Sequence, residues 1–177
     1  MEDIKRISFR NILNTTQDIQ EKVLEWRNLD SIKSMMLNQN SISREEHKNW
    51  LNKLPENNRI IFWVIFFNEI PIGTINLQDI DLENKSSGWG FYIGDKNYLG
   101  KGLSKLIMQK FLKQFFEEMD FSLLVTKVLE KNKIAFTLYK KIGFKAVGEE
   151  TIKVNNDKIK MFVLNYTKND WKLRNHE

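Results

Sequence analysis

The sequence predicts one α/β domain over residues 1–177, of the α+β kind, with a mixed sheet of about six to seven strands and about four flanking helices. Three features support this prediction. The chain has 177 residues, which suits a single core. Strand-like alternation and helix-like stripes succeed one another along its whole length. Tight-turn residues join some strands and helical segments join others, so antiparallel and parallel pairing should both occur.

The amino-terminal part of the chain predicts one strand followed by two helices. Alternation from Ile4 to Phe9 predicts the strand, and the polar cluster Asn14–Thr16 can cap a helix that ends near residues 28–30. A capping box over Ser43–Glu46 begins the second helix, and Pro55 ends it. The residues between the two helices fit neither period.

Three central strands follow. The bulky run Ile60–Phe67 predicts a strand covered on both faces, and Asn68-Glu69 can turn it into a second strand over Ile72–Leu77. A polar loop over Asp79–Ser87 precedes the third strand. In that strand bulky residues alternate with glycines and a tyrosine, in the order Trp89, Gly90, Phe91, Tyr92, Ile93, Gly94.

The carboxyl-terminal half predicts two helices, each followed by a strand or a hairpin. An apolar stripe at four-residue steps from Leu103 to Phe115 predicts the best-defined helix. A strand over Phe121–Leu129 and a shorter helix ended by Gly143 come next. A closing hairpin is predicted, and the polar tail after Thr167 is expected to fray. The hairpin consists of Phe144–Val154 and Lys158–Tyr166 around Asn155, Asn156 and Asp157.

Composition excludes several functional classes. The chain has no cysteine, so it has no disulfide framework, no thiolate metal site and no cysteine nucleophile, and we expect no bound metal. The first residues lack the apolar core of a secretory signal. The longest apolar run, Ile60–Phe67, is eight residues long, whereas a membrane helix needs about 20. We therefore expect a cytoplasmic protein that does not bind a membrane.

The positive charge of the chain favours a small anionic ligand. The net charge of +5 at pH 7 is spread over the whole sequence and is not gathered into one basic tract. Nucleic-acid binding is therefore not favoured. A basic pocket for an anionic small molecule explains the same excess of lysine and arginine.

The glycine-bearing segment Gly94–Ser104 lies between the third central strand and the best-defined helix. A helix start leaves about four backbone N–H groups without partners and carries a positive dipole end, so glycines there let the amides contact a pyrophosphate. The segment is neither a P-loop nor the dinucleotide motif GxGxxG. A turn that needs one glycine at positive φ is the alternative interpretation.

The chain resembles the GNAT N-acetyltransferase superfamily in two segments that stand in the family's order. Leu99–Ser104 is similar to the loop that binds acetyl-CoA, although Leu99 replaces the usual Gln or Arg and Ser104 replaces the last small residue. Glu130–Phe144 is similar to the family's Asn…Ala…Tyr…Gly-Phe segment. The resemblance implies the GNAT fold and acetyl-CoA as the co-substrate. It further implies coenzyme contacts from Phe91, Tyr92, Ile93, Leu99, Gly100, Lys101, Gly102, Leu103, Ser104 and Asn132.

Acetyl transfer from a thioester to an amine needs few catalytic side chains, because the thioester is already activated and positioning supplies much of the rate. The sulfur leaves as a thiolate, and Tyr139, at the family's tyrosine position, is the predicted general acid. A core aromatic is its alternative role. Glu130 is the predicted acceptor of the amine's proton, directly or through water. Its alternative role is to complement the dipole of the following helix.

The amino-terminal helices usually shape the acceptor site in this superfamily. They carry Arg27 and His47, which suit an anionic acceptor: the arginine would bind a phosphate and the histidine would donate a hydrogen bond. Together with Tyr92, the segments around them resemble the amino-sugar N-acetyltransferases of pseudaminic acid biosynthesis, which implies a UDP-linked 4-amino-4,6-dideoxy sugar as the acceptor. The alternative roles are a helix-end charge for Arg27 and a solvent-exposed residue for His47.

Two other functions stay open at this stage. Ribosomal-protein N-terminal acetyltransferases carry similar Trp-Arg-Asn segments, so a protein amino terminus is the alternative acceptor. A module that binds the coenzyme without catalysis, or a basic nucleic-acid binder, is the non-enzymatic alternative. Phe62, Trp63 and Trp89 are predicted to lie in the core, with a homodimer contact as the alternative.

Overall fold

The computed structural model describes residues 2–154 and 157–175, which are built around a mixed sheet. Its strands are β1 (Ile7–Asn11), β2 (Ile61–Phe67), β3 (Ile70–Asp81), β4 (Ser86–Ile93), β5 (Leu123–Leu129), β6 (Lys145–Val154) and β7 (Asp157–Thr167). The seven strands have the order β1-β2-β3-β4-β5-β7-β6. All neighbours are antiparallel except β4 and β5, which are parallel. This confirms the predicted mixed sheet.

Helices cover both faces of the sheet. They are α1 (Glu2–Lys5), α2 (Gln17–Asn28), α3 (Asp30–Lys33), α4 (Arg44–Lys53), α5 (Leu103–Lys113), α6 (Lys133–Ile142) and α7 (Lys168–Asn175). Four of them, α2, α4, α5 and α6, have ten to twelve residues and are the four that the sequence predicted. The predicted capping box begins α4, since the side chains of Ser43 and Glu46 each accept a hydrogen bond from the other's backbone N–H.

Two clusters of buried apolar residues lie on opposite faces of the sheet. Consecutive residues of β2 belong to different clusters, Ile65 to the larger one and Val64 to the smaller one. Because neighbouring side chains of a strand point to opposite faces, the sheet separates the larger cluster, which includes α5 and α6, from the smaller cluster, which includes α2. Trp89 is buried in the larger cluster, Trp63 packs against it, and Phe62 packs against the smaller one.

The parallel pair β4–β5 is short, and the two strands separate beyond it. Backbone pairing joins Ser86 to Leu123, Ser87 to Leu124 and Gly88 to Val125. Beyond these residues, β4 and β5 continue without pairing to each other. We call the gap between residues 89–93 and residues 126–129 the β4–β5 cleft. The chain leaves both strands at its open end, on the way to α5 and α6.

The prediction of a frayed tail is wrong. Lys168–Asn175 form α7, in which Trp171 is 7% exposed and its indole nitrogen donates to the Glu117 carboxylate over 2.8 Å. The helix has a capping arrangement that the sequence analysis overlooked. The backbone N–H of Asp170 donates to the Thr167 hydroxyl, and the backbone N–H of Thr167 donates to the Asp170 carboxylate.

Some predicted boundaries also change. The first strand begins at Ile7 rather than Ile4, because its partner β2 ends opposite Ile7 and α1 occupies the preceding residues. The predicted polar loop 79–87 shortens to residues 82–85, since polar side chains do not prevent backbone pairing outside the core.

The order of the last three strands in the sheet differs from their order in the chain. β5 and β6 are not neighbours, because β7 lies between them. The predicted turn residues Asn155 and Asn156 lie outside the described residues.

None of the helices in residues 2–154 and 157–175 combines the length and the hydrophobicity that crossing a membrane requires. These residues also contain no group of three or more histidine, aspartate or glutamate side chains arranged to hold a metal ion.

Candidate active site

A cavity of about 270 Å³ lies against the sheet beside α2 and α4. We call it the α2–α4 cavity. It is lined by Val23, Arg27, Met36, Ile42, His47, Trp50, Phe62, Asn76 and Tyr92. It brings together the three predicted acceptor-binding residues, Arg27, His47 and Tyr92, which come from α2, α4 and β4. The described lining residues include no aspartate and no glutamate.

The Arg27 guanidinium is held in place but not neutralised. Its Nη2 donates to the backbone carbonyl of Asn38 over 2.6 Å. Its Nη1 is buried and has no hydrogen-bond partner within the described residues, and none of the ion pairs found there includes Arg27. A buried N–H group without a hydrogen-bond partner is costly, so this nitrogen is a ready partner for an anionic or carbonyl group of a ligand.

His47 is buried rather than solvent-exposed, with 8% of its surface accessible. Its Nε2 lies 3.0 Å from the Gln20 carbonyl, which can only accept, so Nε2 carries a hydrogen. Burial lowers the pKa of His47 and outweighs the opposing effect of the Gln20 carbonyl. In the neutral ring, Nδ1 is therefore an acceptor. With Nε2 bonded to Gln20, the predicted role of His47 as a donor to the acceptor needs the imidazolium form, which burial disfavours.

Tyr92 faces the cavity from the middle of the sheet. It stands opposite Thr74, which is 1% exposed, in the β3–β4 ladder. Burial raises the pKa of the Tyr92 phenol, and a hydrogen bond with the Thr74 side chain and the positive charge of Arg27 reduce that shift. The phenol is therefore neutral at physiological pH and can donate or accept a hydrogen bond.

Two glycines of the predicted phosphate loop are needed for their backbone conformation. Gly100 and Gly102 have φ angles of 72° and 74°, and a Cβ at either position would meet nothing within 4 Å. Positive φ therefore explains both glycines, and the space beside them is open. Gly102 precedes α5, whose first turn has no side-chain cap and no acidic residue. The amides of this turn are thus available to an anion.

The other predicted coenzyme contacts differ in what they offer. Leu103 and Ile93 are 6% and 8% exposed and belong to the larger cluster, so their backbones rather than their side chains are available. Phe91 also packs against that cluster, whereas Leu99 is 55% exposed. The Asn132 side chain caps α6 by accepting from the Ala135 N–H over 3.1 Å. Lys101 and Ser104, the two remaining residues, lie on either side of the start of α5.

Tyr139 lies at the point where β4 and β5 separate. Its ring is 5.5 Å from that of Trp89, the first β4 residue beyond the paired segment. Its phenol hydrogen-bonds with Thr126, the first β5 residue beyond that segment. Burial raises the pKa of Tyr139 to about 12, and the Thr126 hydroxyl reduces the shift. The side chain is therefore both a core aromatic and a neutral phenol at the inner end of the β4–β5 cleft.

Glu130 lines a different cavity from the predicted acceptor residues. This second cavity has a volume of about 210 Å³ and is lined by Gln39, Leu129, Glu130, Lys131, Lys158, Ile159 and Lys160. We call it the lysine cavity. The Glu130 carboxylate lies 3.5 Å from the Lys160 ammonium. The predicted proton acceptor is thus paired with a cation at the end of β5.

Sequence reasoning missed several residues of the site. Asn76 lines the α2–α4 cavity and Thr126 contacts Tyr139, and each interrupts a buried apolar strand. A polar residue in such a strand was the available signal. Met36 lies in the segment between the helices that fits no period, and Trp50 and Phe62 look like ordinary core residues. For these three no signal existed in the sequence.

The chain matches the sequence model of the acetyltransferase (GNAT) domain over residues 6–145. It belongs to the GNAT acetyltransferase family. This GNAT chain is 28% identical over 144 residues to acetyltransferase PseH of Campylobacter jejuni subsp. jejuni serotype O:23/36, an alignment that covers 81% of this chain and 88% of that protein. A second Campylobacter jejuni protein of the same name is 26% identical over 145 residues.

Two solved structures have the same GNAT fold. Spermidine N-acetyltransferase from Vibrio cholerae in complex with CoA and spermine has a TM-score of 0.83 at 18% identity and covers 94% of this chain and 98% of its own. Campylobacter jejuni N-acetyltransferase PseH has a TM-score of 0.67 at 22% identity and covers 92% of this chain and 98% of its own. These likenesses confirm the predicted GNAT fold. The match to the acetyltransferase (GNAT) domain and to the proteins named acetyltransferase PseH confirms the predicted enzyme class, an N-acetyltransferase.

The residues of this GNAT enzyme fit the coenzyme that the family uses, acetyl-CoA. The uncapped first turn of α5 and the open space beside Gly100 and Gly102 suit a phosphate group. Beyond Gly88 and Val125, the unpaired edges of β4 and β5 offer backbone donors and acceptors to an extended chain that carries amides. Tyr139 stands at the inner end of that cleft.

Proposed function

We propose that this N-acetyltransferase moves the acetyl group of acetyl-CoA directly onto the primary amine of a nucleotide-linked amino sugar, of the UDP-4-amino-4,6-dideoxy-N-acetyl-altrosamine type, through a tetrahedral intermediate. The observation that carries the proposal is the lining of the α2–α4 cavity, which combines the unpaired Nη1 of Arg27 with mostly apolar walls. The likeness to two proteins named acetyltransferase PseH supports a role in pseudaminic acid biosynthesis.

The charge of the cavity argues against a polyamine acceptor. A polyamine is a multiple cation and needs carboxylates in its pocket, because a buried charge must be paired. The described lining of the α2–α4 cavity has a guanidinium and no carboxylate. The high TM-score to the spermidine enzyme therefore reflects the shared fold, and the cavity favours an anionic acceptor.

The apolar walls suit a deoxygenated sugar. A 4,6-dideoxy sugar with an acetamido group presents two methyl groups, and the cavity offers Val23, Met36 and Ile42 to them. The rings of Trp50 and Phe62 meet edge to face with centroids 5.0 Å apart, and they add an aromatic surface to the same wall. His47 Nδ1 and the Tyr92 phenol supply polar contacts for hydroxyl or amide groups.

The proposed catalytic residues are Tyr139, at the inner end of the β4–β5 cleft, and Glu130, just after the end of β5. Acetyl-CoA supplies an acetyl group that is activated as a thioester. Amides at the start of α5 hold its phosphates, and Tyr139 donates a hydrogen bond or a proton to the departing sulfur. Glu130 lines the lysine cavity rather than the α2–α4 cavity, so we propose that it accepts the proton of the amine through water. Positioning by the cleft and the cavity supplies most of the rate, because no covalent enzyme intermediate is needed.

Acetyl transfer to three acceptors tests the proposal. The UDP-linked amino sugar should give the highest kcat/KM, followed at a distance by a peptide with an amino-terminal alanine and by spermidine. Preference for the peptide would support the alternative, a protein N-terminal acetyltransferase, and overturn the sugar proposal.

A substitution of Arg27 tests its place in the acceptor site. Arg27→Gln should raise the KM for the nucleotide sugar about tenfold, because a charge-assisted hydrogen bond contributes about 1.5–3 kcal/mol, and should leave the KM for acetyl-CoA unchanged. Arg44→Gln is the matched control, because Arg44 is an arginine of α4 whose side chain is 83% exposed.

A further inference from the structure

The α2–α4 cavity is too small for a whole sugar nucleotide. Pockets for drug-sized ligands have volumes of about 300–1,000 Å³. This cavity has a volume of about 270 Å³. A sugar nucleotide contains two sugar rings, a base and a diphosphate. If the amino sugar lies in the cavity, as proposed above, the diphosphate and the nucleoside must lie outside it.

The lysine cavity has an excess of positive charge. Its lining includes three lysines and one carboxylate, that of Glu130. Lys160 is neutralised, since its ammonium lies 2.8 Å from Glu149 and 3.5 Å from Glu130. Lys131 and Lys158 form none of the ion pairs found in residues 2–154 and 157–175. Two lysines of this cavity are therefore available to a ligand.

Lys158 is also opposite another lysine. In the β6–β7 ladder it pairs directly with Lys153, and both side chains therefore point to the same face of the sheet. Like charges directly opposite each other destabilise a sheet by up to about 1 kcal/mol. An anion bound beside Lys158 offsets this repulsion.

Residues of one loop, which joins α3 to α4, line both cavities, and Arg27 is hydrogen-bonded to that loop. Met36 and Ile42 of this loop line the α2–α4 cavity, whereas Gln39 lines the lysine cavity. The Nη2 of Arg27 donates to the carbonyl of Asn38, the residue next to Gln39, and Nη1 has no partner in the part of the chain that the structure describes. The Arg27 guanidinium is thus bound one residue away from Gln39, whose Cα atom lies about 3.8 Å from that of Asn38.

We propose that the lysine cavity binds the diphosphate of the nucleotide-linked acceptor through Lys131 and Lys158, with the amino sugar in the α2–α4 cavity and Arg27 between them. This inference rests on the proposed function and extends it to a second subsite. Lysine ammoniums bind phosphate as mobile point charges, which suits a group that must enter and leave with each turnover. The phosphates of the coenzyme are the other source of the same chemistry.

The double variant Lys131→Gln/Lys158→Gln tests the inference. Its KM for the UDP-linked amino sugar should rise about tenfold and depend less on salt, because two partly exposed contacts to phosphate are lost. Its KM for acetyl-CoA and its kcat should not change. By calorimetry, UDP alone should bind the double variant about tenfold more weakly than it binds the unmodified enzyme. Lys172→Gln, an exposed lysine of α7, is the control and should change none of these quantities.

The outcomes distinguish an error in the proposed diphosphate subsite from an error in the proposed acceptor. A higher KM for acetyl-CoA in place of the acceptor would assign the lysines to the coenzyme and overturn the inference, as would unchanged binding of UDP. If the unmodified enzyme fails to acetylate the sugar nucleotide but binds UDP more tightly than the double variant does, the proposed acceptor is wrong and the diphosphate subsite stands. The variant should not melt earlier, because it removes the repulsion between Lys153 and Lys158.

Discussion

The phenol of Tyr139 has neighbours of two kinds. Trp89 and Phe144 pack on its ring, with centroids 5.5 Å and 5.3 Å away, and Thr126 hydrogen-bonds with its hydroxyl. The pKa of about 12 keeps the proton in place at every physiological pH. It also makes the unliganded phenol a weaker acid than free tyrosine, whose pKa is about 10. Hydrogen bonding to the departing sulfur is therefore the main effect we expect of this residue.

Replacing Tyr139 by phenylalanine should separate this role from packing. Tyr139→Phe should lower kcat by about 10²-fold, the lower end of general acid catalysis, while the affinity for CoA stays nearly constant. Steady-state kinetics and calorimetry with CoA measure the two quantities. Tyr166→Phe is the matched control, because Tyr166 is a tyrosine of the same cluster with 1% of its surface exposed. An unchanged kcat in Tyr139→Phe would remove the proposed role.

His47 should make folding stability depend on pH. Burial lowers its pKa below that of the unfolded chain, which is about 6.5. Between the two values the unfolded state binds more protons, so the free energy of unfolding rises with pH and levels off above about pH 7.5. His47→Gln should flatten the dependence of Tm on pH between about 5.5 and 7.5. The chain's other histidine, His176, is present in both proteins, so equal slopes would contradict the assignment.

The sequence predicted the identity of some site residues but not their ionisation or their hydrogen bonds. The resemblance to known enzymes led to Arg27, His47 and Tyr92, and these three lie in one cavity. Their ionisation and hydrogen bonding were not predictable, because burial and the Gln20 carbonyl come from distant parts of the chain. Glu130, chosen for its position after a strand, lies in another cavity beside a lysine that the sequence separates from it by a whole helix and a hairpin.

At the scale of elements, the start of α5 depends on glycine. Gly102 has a φ of 74°, which costs other residues about 1–2 kcal/mol, and it has open space around it. Gly102→Ala should therefore lower the free energy of unfolding by about 1 kcal/mol without a steric clash, and it should raise the KM for acetyl-CoA as the loop relaxes.

Gly148→Ala is the matched control for this substitution. Gly148 also has nothing within 4 Å of an added Cβ, but its φ lies outside the left-handed region. Denaturant unfolding and steady-state kinetics should show little change. If both variants raise the KM for acetyl-CoA equally, the conformation of the loop is not the reason.

The helices and strands were mostly predictable because their patterns are local. Periodicity and the capping box located α2, α4, α5 and α6. Asn68 and Glu69 both have positive φ, as the predicted tight turn between β2 and β3 requires. The helix α7 was missed because its polar composition hides a single buried residue, Trp171. The position of β7 between β5 and β6 follows from tertiary pairing, which no local pattern contains.

At the scale of the whole molecule, the β4–β5 cleft connects the two faces of the sheet. The α2–α4 cavity lies on one face, and Tyr139 approaches from the other. A closed sheet would keep an acceptor and this phenol apart. The separation of β4 and β5 beyond Gly88 and Val125 removes that barrier, so acceptor and thioester can meet between the strands.

Binding in the cleft should be visible in hydrogen exchange. CoA should slow the exchange of backbone amides in residues 89–93, because an extended ligand chain covers the unpaired edge of β4. ADP, which has the phosphates but no pantetheine arm, should protect residues 99–104 only. Protection of both segments by ADP, or of neither by CoA, would contradict this arrangement.

The short β4–β5 ladder also links the lifetime of the enzyme to its supply of coenzyme. Three residue pairs join β4 to β5. Beyond them, the backbone N–H and C=O groups that face the cleft must hydrogen-bond to water until a ligand displaces that water. A ligand at 100 times its Kd adds about 2.7 kcal/mol to stability, which reduces the unfolded fraction about a hundredfold. Without CoA, a protease should therefore degrade this protein faster than it does at saturating CoA.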